Sequence, residues 1–463
     1  MNERLFDEFQ EVSAKAWKQK IQYDLRGADY NEKLVWESPE GIKVKPFYHL
    51  DDHKFDYQKT LRKTANWQIA QEIFVADGSR ANDKAFKALR RGAETLYFII
   101  PSEKIEINKL LTGIDLDTVC LYFKFQFLSV SYIEKMMDFL KDNKSSIYLN
   151  IDIIGHLARM GNWFSNKVND EKALGEILNL SKIRKNINVI GVDVSLYQNA
   201  GANIVQQVAY AIAHINEYLN GYGADLIQGP VFSVSVGNNY FFEIAKIRAL
   251  RKIWAALASE YGLNSPCHII ATPSKRNKTI YSYNTNMLRT TTECMSAILG
   301  GADSICNLPY DSIYHKNNEF GERIARNQLL LLKNESRFDA GENPAAGSYY
   351  IGALTEQITE KSLELFKHLE RNGGFLKQLK NHTIQRKIKE SALKEGKQLD
   401  SGEEILVGTN AYTNSLDKMK DTLEIYPFIS KKGRKTLIAP IVEKRLAEEI
   451  ERKRLRTEGW SEK

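Results

Sequence analysis

The chain contains no run approaching the roughly 20 uncharged apolar residues that a membrane span requires, so an integral membrane protein is not expected. Its four cysteines, Cys120, Cys267, Cys294 and Cys306, show no paired spacing and sit in apolar runs. That pattern argues against a disulfide framework or a zinc module and for buried thiols in a reducing cytoplasm. The start, Met1-Asn2-Glu3-Arg4, mixes both charge signs and leads into an amphipathic pattern, so no signal peptide is expected and the expected location is cytoplasmic. No basic stripe interleaved with aromatics suggests nucleic-acid binding. No glycine-rich loop follows the first apolar run, which counts against a dinucleotide-binding fold. Internal repeats and low-complexity linkers are missing too. The net charge of +7 permits a polyanionic ligand, but the plainer reading is a generic basic surface.

What is present is a long alternation. After 463 residues' worth of length has set the prior at one large domain with extensions or two domains, β-rich apolar runs are read at 69–75, 95–100, 119–127, 146–154, 189–197, 231–236, 267–271 and 304–308. Helical patterns lie between them, clearest at 203–219, 240–258, 286–299 and 324–332. Strands buried on both faces and alternating with helices predict a parallel sheet. Eight such units over roughly 250 residues predict a closed (β/α)8 TIM barrel, an α/β fold. The helix from Tyr240 places Phe241, Ile244, Ile247, Leu250 and Trp254 on one stripe, with Lys246, Arg248 and Arg251 on the other side.

The flanks read differently. Leu5, Phe9, Val12, Ala16, Ile21 and Leu25 recur at helical spacing, joined by Trp17, with a stop near Gly27; an aromatic-rich loop follows with Trp36, Phe47 and Tyr48. Such an arm cannot bury itself alone and must lie on the main domain or on another chain. Beyond Pro344 the chain turns helical and charged, and the stretch from Glu443 to Arg456 reads as a solvated helix. The resulting division is an N-terminal arm at 1–60, a barrel at 61–345 and a C-terminal helical segment at 346–463.

In a barrel, reactive groups belong at the C-terminal ends of the strands. Those positions hold Asp77, Ser102, Ser129, Asp152, Tyr197, Gln198, Gly237, Asn238, Asn239, Thr272, Ser274 and Asp311. The set offers no nucleophile beside a base, no close carboxylate pair and no histidine cluster for a metal. His156 and His268 lie near strand ends without an evident partner and are expected as hydrogen-bonded core or rim histidines. Tyr197-Gln198-Asn199 is the best small-molecule patch, with plain loop hydrogen bonding as the competing reading.

Several stretches resemble the acyl-CoA mutase family of cobalamin-dependent carbon-skeleton isomerases. Specific among them are Asn286-Met287-Leu288-Arg289-Thr290-Thr291-Thr292-Glu293, then Leu299-Gly300-Gly301-Ala302-Asp303-Ser304, Arg323 to Asn327 and Asn343-Pro344-Ala345-Ala346-Gly347-Ser348-Tyr349-Tyr350. Gln198-Asn199-Ala200-Gly201-Ala202, Asn239 to Arg248, the arm residues Trp17, Asp24-Leu25 and Glu40-Gly41-Ile42, and Asp400 to Asn410 add to it. The likeness covers nearly the whole chain.

The departures matter as much. Catalytic members carry a tyrosine in an Arg-Gly-Pro-Tyr-Pro-Thr-Met-Tyr segment, where this chain reads Asn66-Trp67-Gln68-Ile69-Ala70-Gln71. Their Tyr-His pair before the Gln-Glu-Ala-Gly-Ala stretch is here Ser195-Leu196, so the histidine that the resemblance assigns to the thioester carbonyl is gone. Their Arg-x-His-x-Gln-Thr-Ser-Gly strand is replaced by Cys267 to Ser274. A leucine can neither polarise a carbonyl nor move a proton. The family's cobalt-ligating Asp-x-His-x-x-Gly loop has only Asp51-Asp52-His53 to compare with, and Asp56 stands in place of its glycine. No room for a flavodoxin-like B12 domain is expected after the post-barrel helices.

The resemblance therefore implies a small, non-catalytic subunit of a heterodimeric methylmalonyl-CoA mutase. A large catalytic subunit would carry adenosylcobalamin and act on the acyl-CoA, and this chain alone would bind neither metal nor cofactor. Trp17, Trp36 and Tyr48 are then the expected interface anchors. Tyr197, Gln198, Asn238 and Arg289 are expected as vestigial substrate-binding residues, with no catalytic residue. Two other readings stay open: a catalytic barrel borrowing a separate cobalamin-binding chain, and a stand-alone acyl-CoA-binding regulatory barrel.

Overall fold

A computed structural model of the protein describes residues 8–52, 66–429, 433 and 435–461. Leu5 of the arm stripe, and His53 and Asp56 of the Asp-x-His stretch, lie outside the described residues.

Eight parallel strands close into a barrel: β1 Gln68–Phe74, β2 Thr95–Ile100, β3 Cys120–Phe125, β4 Ile147–Ile151, β5 Ile187–Asp193, β6 Val231–Val236, β7 His268–Pro273 and β8 Ser304–Cys306. Closure comes from β8 pairing with β1, Ser304 opposite Gln68 and Cys306 opposite Ala70. The (β/α)8 expectation is met. The alternation within β2 shows why these residues make a strand. Leu96, Phe98 and Ile100 pack outward into the main core, and Tyr97 points inward, as the period of two requires. Each fully buried side chain of this kind contributes roughly 1.5–3 kcal/mol.

The barrel axis is filled. Tyr97, Tyr122 and Tyr148 form a cluster with Ala70, Cys120, Val231, Ile270 and Cys306. Tyr122 lies 5.8 Å from Tyr97 and 4.7 Å from Tyr148 between ring centroids. The interior is thus a packed core and not a pore. All four cysteines are free and buried, as expected.

Outside the barrel the helices follow their sequence signals. Ile204–Tyr222 begins with a capping box from Asn203 and Gln206, which satisfies two orphan amides at the helix start. Thr285–Gly300 stops at Gly301, whose φ of 88° is left-handed. Among the described residues no helix is long and apolar enough to cross a membrane.

Two expectations need correction, for the arm helix and for the final charged stretch. The arm helix covers only Ala14–Asp24, because Ser13 caps it by accepting the Ala16 amide at 3.2 Å, so Phe9 and Val12 fall outside it and are exposed. The side of the Tyr240–Glu260 helix opposite its apolar stripe is packed as well, with Lys246 and Arg251 buried. Arg251 meets Asp303 at 2.5 Å, a residue 52 positions away. The final charged stretch forms a helix at Glu448–Thr457 with Glu448, Glu451 and Arg452 buried, and Arg445 pairs with Glu451 at 2.6 Å. Opposite charges from distant segments neutralise one another there, which a local charge count cannot show.

Candidate functional site

Three of the polar residues at the strand ends turn out to hold helices. Asp77 accepts the Arg80 amide, Ser129 that of Tyr132 and Asp152 that of Gly155, each as an N-cap. Such a cap is worth about 1 kcal/mol and occupies the side-chain oxygen that a reaction would need. Asp152 also accepts from the Tyr218 hydroxyl at 2.8 Å and lies 2.9 Å from His214 Nε2. Burial pushes its pKa up, but His214 outweighs that and holds the carboxyl below its usual range.

The fifth strand ends at Asp193, and Ser195–Asn199 forms a short helix. This turn separates Tyr197 from Gln198. Tyr197 is fully buried, its hydroxyl 2.8 Å from His214 Nδ1. Gln198 faces a hollow of about 590 Å³ at the barrel mouth, which Asn238 also lines. Asn238 donates to Glu404 at 2.8 Å. Arg289 stands apart, donating to Thr279, Asn286 and the Val407 carbonyl. The structure therefore brings Gln198 and Asn238 together and leaves Tyr197 beneath and Arg289 to one side. The arm roofs the hollow with Trp36, Pro39 and Glu40, and the post-barrel helix Thr383–Ser401 supplies Lys387, Lys394 and Glu395.

Buried charge supports this mouth. Lys246 forms an ion pair with Glu243 and donates to Gln198 at 2.9 Å and Gln207 at 3.0 Å. Lys278 and Glu293 pair at 2.7 Å, each side chain only 1% exposed. Desolvation lowers the pKa of both lysines and raises that of Glu293, each against the pull of its partner. Sequence reasoning missed both pairs; the i,i+3 spacing of Glu243 and Lys246 was the one available signal.

A second hollow, of about 480 Å³, opens at the ends of β2 to β5. Lys124 and Arg159 both reach Asp193 at 2.8 Å, and Arg159 also holds Glu443 at 2.6 Å. Glu443 belongs to a strap whose Ile441 amide bonds the Ala158 carbonyl at 2.8 Å. Burial opposes the charges of this group. The ion pairs prevail, holding Asp193 well below and Lys124 above their ordinary ranges.

The positions to which the family resemblance assigns reactive groups hold buried or hydrogen-bonded side chains. Leu196 is 1% exposed in the main core. Ser195 donates to Asp193. Trp67 is fully buried, donating to the Phe338 carbonyl at 3.3 Å with Lys333 over its ring. Both histidines singled out from the sequence sit as expected for core or rim residues: His268 between the Tyr122 and Tyr148 hydroxyls, and His156 stacked on Phe164. Among the described residues no group of three or more potential ligands could hold a metal ion.

The sequence model of the methylmalonyl-CoA mutase family matches residues 100–456. The methylmalonyl-CoA mutase small subunit of Porphyromonas gingivalis is 34% identical over 98% of this chain, which covers 78% of that protein. The methylmalonyl-CoA mutase of Cereibacter sphaeroides is 26% identical over 89% of this chain, which spans 66% of its length. The large subunit from Porphyromonas gingivalis is similar as well, 24% identical over 84% of this chain and 62% of its own.

Proposed function

The chain belongs to the methylmalonyl-CoA mutase family, a cobalamin-dependent family of isomerases, and from that premise we propose that it is the small, non-catalytic subunit of a heterodimeric enzyme. In this reading a larger partner holds adenosylcobalamin and interconverts methylmalonyl-CoA and succinyl-CoA. The observation that carries the proposal is Leu196, locked in the core at the position where the family resemblance places a thioester-binding histidine. At the ends of β2 to β5, Lys124, Arg159 and Asp193 are engaged with one another.

In this reading the corrinoid belongs to the partner. Asp51 of the Asp-x-His stretch accepts the Ala14 amide at 3.0 Å and so is committed to the arm helix. The chain's own contribution is therefore shape. Residues 1–60 serve as the arm, 61–345 as the barrel and 346–463 as a helical segment on the barrel or the partner. Trp17 and Trp36 are each 49% exposed. Their inner faces meet Phe47 and Phe242, and Tyr48 leans on Tyr350. That leaves aromatic surface, pre-positioned by the fold, for a partner. Residual contact with an acyl-CoA falls first to Gln198 and Asn238, which share the open hollow, with Tyr197 and Arg289 behind and beside it.

The test is gentle purification of the chain from its native cell, with identification of its companion and assay of mutase activity and corrinoid in the same fraction. A longer companion carrying all corrinoid and turnover, with none from this chain plus adenosylcobalamin, supports the proposal. Isomerisation by the lone chain, or absence of any mutase companion, overturns it.

A further inference from the structure

A third hollow, of about 930 Å³, lies between the helix Thr383–Ser401, the strap and the final helix Glu448–Thr457. It is elongated. Its helical wall runs from Gln385 to Asp400, about 22 Å at 1.5 Å per residue. Leu393 and Gly396 stand one turn apart on that wall, with Lys389 and Lys397 on the same face. A Cβ on Gly396 would meet nothing within 4 Å, so the middle of the wall is bare backbone. The facing wall is apolar too, built from Val442, Leu446 and Ile450. Leu393 is 57% and Val442 48% exposed, so this apolar surface is open to an incoming molecule. Gln385 ties the two walls together at one end, donating to the Ala439 carbonyl at 2.9 Å.

The rim carries an excess of one charge sign. Three of its cations are neutralised within the fold: Arg276 by Glu395 at 2.6 Å, Lys444 by Glu449 at 2.9 Å and Arg445 by Glu451 at 2.6 Å. Lys389, Lys397 and Lys453 have no ion-pair partner among the described residues, and Arg386 reaches only Glu390, at 4.0 Å. Among the lining carboxylates only Asp400 is left to oppose them. Arg386, Lys389 and Lys397 are spread over roughly three turns of helix. An occupant that answers them must carry negative charge along its length and an apolar face between. A fatty acid carries its charge at one end, and a flat membrane surface does not enter a groove.

We propose that this groove is a docking site for an acidic amphipathic helix of another polypeptide. Its apolar stripe would lie on Leu393, Gly396 and Val442, with its carboxylates toward Lys389, Lys397 and Lys453. The site is distinct from the Gln198–Asn238 hollow, goes beyond the scaffold role and does not rest on it.

The probe is a fluorescein-labelled peptide of about 20 residues, long enough to cover the wall. It carries a leucine stripe at helical spacing, glutamates flanking the stripe and alanines elsewhere. Titrated into the full-length chain and followed by anisotropy, it should bind saturably in the micromolar range. Binding should weaken at least tenfold in about 1 M salt, where the screening length is about 3 Å. A peptide with lysines for the glutamates, and one with a central proline that breaks the helix, should each bind at least tenfold more weakly. Lys389→Glu with Lys397→Glu, folded by its thermal midpoint, should reverse the preference between the acidic and lysine peptides. Gly396→Leu, which suits a helix and fills the wall, should weaken the acidic peptide at least tenfold. No saturable binding to the folded chain, equal binding of the lysine or proline peptide, or an unreversed preference in the double variant would each overturn the proposal. So would displacement of the peptide by dodecanoate or by phosphatidylserine vesicles, or a self-association of the chain that Gly396→Leu abolishes, because another occupant would then hold the groove.

Discussion

Tyr148 and His268 stack inside the barrel with ring centroids 4.3 Å apart, and the tyrosine hydroxyl lies 3.0 Å from His268 Nδ1. Burial there pushes the imidazole pKa down to about 4, Asp303 only partly opposing it. Unfolded, the same ring titrates near its ordinary value of about 6.5. The folded pKa is the lower one, so the unfolded chain binds the extra proton. Stability is complete above pH ~6.5 and falls as pH drops toward 4, by about 3 kcal/mol in total. The His268→Asn variant, uncharged at every pH, should lose that share of the acid sensitivity. Thermal midpoints at pH 7.0 and 4.5 for both chains check this; parallel losses in the two would contradict it.

The cysteines make a chemical prediction. Burial raises the Cys120 and Cys267 thiols to about 12 and the other two higher still. Reactivity belongs to the thiolate. The native chain at pH 8 should therefore leave a thiol-titrating disulfide reagent unconsumed over minutes, and the denatured chain should consume four equivalents, one per buried cysteine. Rapid reaction of any one of them in the native state would show an opening that the fold does not contain.

Strand and helix placement was legible because each depends on local periodicity: β2 and β6 begin and end at the residues that their apolar runs mark. The site was legible only in part. Tyr197 was read as continuing the fifth strand, but the chain turns after Asp193, and that turn sends its side chain to His214 while Gln198 stays at the mouth. Lys124 and Arg159 escaped notice because their partners are Asp193 and Glu443, brought near by tertiary folding over 69 and 284 residues. No local pattern encodes such pairs.

The Lys278–Glu293 pair should show the asymmetry of buried charge. Lys278→Met leaves Glu293 unpaired beside Asn277, which donates to it at 2.7 Å. Breaking such a pair costs about 3–5 kcal/mol, whereas replacing both partners by apolar groups is often nearly neutral. The single variant should unfold at markedly lower denaturant concentration, and Lys278→Met with Glu293→Leu should recover most of the loss. A double variant as unstable as the single would mean that the surrounding hydrogen bonds, and not the unpaired charge, set the cost.

Gly161 tests whether the strap is held by the barrel. It ends the helix Ile153–Met160 at φ 74°, and its carbonyl accepts the Leu437 and Ile438 amides at 2.9 and 3.1 Å. A Cβ there would meet the Ile438 carbonyl at 2.7 Å and the Thr436 Cβ at 2.8 Å. Gly161→Ala therefore carries two penalties: the left-handed backbone, about 1–2 kcal/mol, and displacement of the strap that brings Glu443 to Arg159. Gly402 is the matched control, with φ 77° and open space around its own Cβ position, so Gly402→Ala carries the first penalty alone. Amide hydrogen exchange at Leu437, Ile438 and Ile441 should quicken at least tenfold in Gly161→Ala, the equivalent of about 1.4 kcal/mol of local opening, and stay unchanged in Gly402→Ala. Equal exchange in the two variants would mean that the strap is anchored elsewhere, and that the Arg159–Glu443 pair forms independently of the turn at Gly161.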